Sequence, residues 1–116
     1  MRQITGDTTD VTLLIYIQDT SDPDGAGLTG LVYDASGLTC YYDRAGAAAA
    51  ALSLATQTAT GAHADGGFVQ IDATNMPGIY RLDLSDAVVA AGVDEVAILL
   101  QGAANMAATV IGIQIT

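Results

Sequence analysis

Between Phe68 and Gly92 the sequence FVQIDATNMPGIYRLDLSDAVVAAG passes from a short apolar run through a corner into strict alternation. Pro77-Gly78 is the expected corner, because proline fixes φ and lacks an amide donor while glycine accepts the positive φ that other residues resist. Beyond it Tyr80, Leu82 and Leu84 share one face of an extended segment, and Arg81 and Asp83 the other. That is the period-2 signature of a half-buried strand. Tyr80 is therefore expected to face inward, its hydroxyl bonded to nearby backbone. Ser85 can then cap a short helix running to Ala91, closed by Gly92.

The remaining segments fit around this one. Residues 1–10 are polar and without periodicity, and read as an N-terminal arm, disordered or ordered by a neighbouring subunit; residues 11–116 read as one domain. Val11 to Gln18 is rich in β-branched residues and apolar on both faces at its middle, which predicts a central or covered strand. Leu28 to Tyr33 and Leu38 to Tyr42, separated by Asp34-Ala35-Ser36-Gly37, predict a hairpin. The alanine-rich stretch to Ala51 is read as a loop entering a strand over Leu52 to Thr60. Glu95 to Gln101 and Thr109 to Ile115 complete the set, with Val96, Ile98 and Leu100, then Thr109, Ile111, Ile113 and Ile115, on single faces. Seven to eight short strands with one connecting helix predict an all-β fold, a single antiparallel immunoglobulin-like β-sandwich.

Composition narrows the function classes. Thirteen Asp and Glu stand against three Arg and no Lys, a formal net charge of −10. A nucleic-acid partner is not expected, since neutralising phosphates takes clustered cations and Arg2, Arg44 and Arg81 are scattered. The apolar runs are too short to span a bilayer, so no membrane association is expected, and no apolar segment follows Arg2 to direct export. Cys40 is the one cysteine, which rules out an intramolecular disulfide.

Few residues suggest chemistry. Asp19, Asp22 and Asp24 form a carboxylate cluster that could ligate Ca²⁺, although their spacing departs from an EF-hand loop and Asp is also an ordinary turn residue. His63, in a Gly-rich loop with Asp65, lacks a nucleophile and an oxyanion hole nearby in sequence and reads as a surface residue. Cys40 reads as a small buried hydrophobe. No catalytic residue and no cofactor are expected. Tyr33, Tyr41 and Tyr42 surround one hairpin, and neighbours in a strand face opposite sides, so one of Tyr41 and Tyr42 must point outward. The outward ring could stack on a sugar or pack on another subunit.

Three segments, GAGLTGLVYDASGLTCYYDR (Gly25 to Arg44), GGFVQIDATNMPGIYRLDLSDA (Gly66 to Ala87) and LLQGAANMAATVIGIQI (Leu99 to Ile115), resemble small virion-associated proteins of tailed bacteriophages. The resemblance covers nearly the whole chain, with the alanine run Ala47 to Ala51 and Ala103 as departures. More distantly the chain is similar to the N-terminal β-sandwich of phage baseplate upper proteins. The resemblance implies a non-enzymatic structural part of a virion, assembled in the host cytoplasm, that decorates the capsid or sits in the tail or baseplate. Its implied partners are other virion proteins, the major capsid protein or tail subunits, and further copies of itself in a homo-oligomer. Arg2, Tyr41 and Tyr42 are the interface residues expected on this reading, and an adhesion module binding carbohydrate is the alternative.

Overall fold

A computed structural model of the chain describes residues 2–116. Eight strands form two sheets: β1 (Arg2–Ile4), β2 (Thr12–Tyr16), β3 (Thr39–Arg44), β4 (Ala50–Ala51), β5 (Phe68–Asp72), β6 (Met76–Asp83), β7 (Glu95–Gln101) and β8 (Thr109–Ile115). A five-stranded sheet has the order β1-β8-β7-β3-β4, and a three-stranded sheet the order β2-β6-β5. All pairings are antiparallel except β1 with β8, which is parallel, so the larger sheet is mixed. The result is a sandwich-like all-β domain in which the alternating apolar residues of both sheets meet. Tyr80, Leu82 and Leu84 from β6 and its end face Val96, Ile98, Leu100 and Ile113 in a fully buried core. The Phe68 and Tyr80 rings stack there, with centroids 5.1 Å apart. Among the described residues no helix is long and apolar enough to cross a membrane.

Several segments depart from the reading of local pattern, and in each a side chain from far along the chain binds the local backbone. Tyr80 Oη donates to the Leu28 carbonyl at 2.8 Å and accepts from the Leu31 amide at 3.1 Å, so Leu28 to Tyr33 is a turn-rich loop, and the expected hairpin does not form. Arg81 Nη1 binds the carbonyls of Thr58 and Gly61, which leaves Leu52 to Thr60 without a strand beyond an isolated bridge of Ala55 to Gly67. The helix expected over Ser85 to Ala91 is a single 3₁₀ turn, Asp86–Val89, and the Ser85 side chain makes no capping bond. Its free carbonyl end is instead met by the Arg44 guanidinium, which donates to the carbonyls of Val88, Ala90 and Ala91.

Pro77-Gly78 is not a corner, since β6 runs through it. The chain reverses earlier, where Asp72 accepts hydrogen bonds from the amides of Thr74 and Asn75 and from Asn75 Nδ2. Gly78, at φ 89°, instead lets the loop before Leu28 cross the strand, for a Cβ there would lie 2.6 Å from the Gly27 Cα. β2 is an edge strand, not a central one, and it exposes Leu14 and Tyr16. The N-terminal segment is part of the domain: Ile4 pairs with Ile115, the Gly6 amide donates to the Thr116 carbonyl, and Asp7 accepts from the Ala91 amide.

Candidate functional site

β6 alternation puts Arg81 and Asp83 on the face away from the main core, where solvent is the sequence expectation. Both are buried, because the loop from Gln57 to Gly67 folds over them. Asp83 Oδ1 accepts from Arg81 Nε at 2.9 Å and from Thr12 Oγ1 at 2.8 Å. Its Oδ2 accepts from Arg81 Nη2, Gln57 Nε2 and the Ala64 amide. Burial pushes this carboxyl up, but the hydrogen bonds from Arg81, Ala64, Gln57 and Thr12 outweigh it and hold the group at about 2. Gly67 admits the carboxylate, since a Cβ there would sit 2.8 Å from Asp83 Oδ2. Among the described residues no buried side-chain nitrogen or oxygen lacks a partner. The cluster is thus a closed hydrogen-bonded network.

His63 belongs to the rim of the same region and is not a surface residue. Its Nε2 donates to the Leu84 carbonyl at 2.9 Å, and Nδ1 lies 3.4 Å from Asp10 Oδ1, so the ring ties the loop to the N-terminal segment. Cys40 is buried, as its sequence context predicts, and burial raises its thiol to about 12. Asp19 accepts from the Ser21 amide and hydroxyl, and those bonds hold its carboxyl below the usual range. Asp22 accepts from the Asp24 amide. The Asp19 and Asp22 carboxylates thus hold their own turns, and no group of three potential metal ligands converges among the described residues. Arg2, expected to reach a partner, donates from Nη2 to the Leu14 carbonyl at 2.6 Å on the β2 edge.

The surface features of interest lie on the outer face of the five-stranded sheet. Tyr41 points outward and is 47 % exposed, whereas Tyr42 packs against the core. Register places Ala51 opposite Tyr41, Tyr41 opposite Leu99, and Leu99 opposite Val110. An apolar row therefore crosses four strands, about 14 Å at the usual interstrand spacing. Val110 is 69 % exposed at its end. Tyr41, Leu99 and Val110 line a hollow with Ala49 and Ala97. Beside it Asp43, Ala45, Glu95 and Ala97 line a second, acidic hollow. A third hollow brings Tyr33 and Tyr41 together with Asp34, Thr39 and Ser53. Leu99 and Val110 were legible in principle: in strands whose even or odd partners all face inward, an apolar residue at the opposite parity must face out.

No protein-family profile, curated protein or solved structure matches this chain.

Proposed function

We propose that this chain is an immunoglobulin-like, non-enzymatic structural subunit of a tailed-phage virion, seated on the capsid exterior. The observation that carries the reading is the contrast between a closed interior and an open apolar sheet face. Among the described residues every buried polar side chain has a partner, while Tyr41 and Val110 stand exposed on either side of half-buried Leu99 in one row of an acidic domain. Contiguous apolar surface of this kind is what subunit contacts bury. The strand order supports the immunoglobulin-like assignment. β2-β6-β5 corresponds to B-E-D, and β8-β7-β3-β4 to G-F-C with the added strand of variable-type domains. The phage assignment rests on the resemblance of the three sequence segments. Immunolabelling of purified virions with an antibody against this chain tests it: regular label over the head is expected. Label on the tail or baseplate would move the protein there, and unlabelled particles would refute the virion reading.

A second reading follows from the hollow that Tyr33 and Tyr41 share with Asp34, Thr39 and Ser53, since aromatic rings beside polar groups are how many modules hold sugars. Saturable binding on a glycan array, lost in both Tyr33→Ala and Tyr41→Ala, would establish adhesion in place of the structural role.

A further inference from the structure

The outer sheet face has a charge pattern as well as an apolar one. Asp43 lies opposite Ala97, and Glu95 is two residues before Ala97 on the same face of β7, so both carboxylates flank the alanine that floors the neighbouring apolar hollow. Among the described residues no cation is paired with either of them. Arg2 is bound to the Leu14 carbonyl, Arg44 to the carbonyls after the 3₁₀ turn, and Arg81 to Asp83. Of thirteen carboxylates, Asp83 alone is paired with an arginine among the described residues, leaving twelve without one.

We infer that this face docks a different protein, one that presents an apolar side chain flanked by a lysine or arginine. The apolar group fills the hollow between Tyr41, Leu99 and Val110, and the cation enters the adjoining hollow between Asp43 and Glu95. A second copy of this chain is the wrong occupant. Packed on this face by its own like face, it would bring the same two carboxylates to the interface, so like charges would be desolvated together. Charge complementarity therefore selects a heterologous partner with a basic rim. The inference rests on the reading of the chain as an attached structural subunit, and it gives the chemistry of the attachment.

Two capped tripeptides, acetyl-Leu-Arg-Leu-amide and acetyl-Leu-Glu-Leu-amide, serve as probes in ¹⁵N-edited NMR titrations of the full chain. The cationic probe should shift amides of Tyr41, Ala97, Leu99 and Val110, and the acidic probe should not. Asp43→Asn and Glu95→Gln should each weaken the response roughly two- to fivefold, as for an exposed ion pair, and 0.5 M salt should do the same. Val110→Glu should abolish it. These side chains are exposed, so thermal melts of the variants should overlay that of the parent, and light scattering should show a monomer. No shifts with either probe, equal response to both, shifts confined to another face, or a dimer dissolved by Val110→Glu would overturn the inference. The two readings fail separately: unlabelled virions with intact peptide binding would sink the virion assignment alone. Virion attachment that survives Val110→Glu would sink this face alone.

Discussion

Asp83→Asn keeps the shape of the buried side chain and removes its charge. The carboxylate accepts five hydrogen bonds, from Thr12, Gln57, the Ala64 amide and two Arg81 nitrogens. Asparagine offers one oxygen and turns an NH₂ group toward donors. The buried guanidinium of Arg81 keeps the carbonyls of Thr58 and Gly61 but loses its counter-charge. Removing one member of a buried ion pair costs about 3–5 kcal/mol. With an unfolding entropy near 2.1 cal/mol/K per residue, a chain of 116 residues should lose about 12–20 °C in Tm at pH 7. Acid gives a second handle. The folded carboxyl sits at about 2 against an ordinary 3.8, so as pH falls the unfolded chain takes up the proton first. The contribution, about 2–3 kcal/mol, is complete above roughly pH 4 and is lost as pH falls through about 2. Calorimetry of parent and variant from pH 7 to pH 2 should show the gap between them narrowing over that window. A Tm change under about 4 °C at pH 7, or a gap that does not narrow in acid, would refute the view that Asp83 is a charged keystone of the fold.

Tyr80→Phe preserves the ring stack on Phe68 but strips the partner from the Leu31 amide and the Leu28 carbonyl, and urea unfolding should show a loss of about 1–3 kcal/mol. Deleting residues 1–9 removes β1 and uncovers the β8 edge, so circular dichroism melts should show a clearly lower Tm; an unchanged Tm would mean that the β1 pairing contributes nothing to the domain.

What the chain's own pattern determined was the set of strands that pack by alternation. Tyr80, Leu82 and Leu84, then Val96, Ile98 and Leu100, then Ile111, Ile113 and Ile115 are buried as their period requires, because a strand with one apolar face has one way to hide it. That one of Tyr41 and Tyr42 points outward followed from the same rule, the structure making it Tyr41, and the burial of Cys40 followed from its strand context. Alternation also put Arg81 and Asp83 outward, and only tertiary structure decided that a loop would cover them, since nothing local records where the Thr58 and Gly61 carbonyls will find a donor. Tyr80 likewise captures Leu28 and Leu31 from about fifty residues away, and Arg44 closes a 3₁₀ turn more than forty residues later. The sequence around His63 is that of a surface residue for the same reason: its partners, Asp10 and Leu84, are brought to it by the fold. The N-terminal segment lacks periodicity yet finds a strand edge, because a parallel ladder on β8 needs free backbone groups more than it needs an apolar pattern. The apolar row across the outer sheet face belongs to tertiary structure too. Tyr41, Leu99 and Val110 lie on three separate strands, and only the register of β3, β7 and β8 sets them side by side.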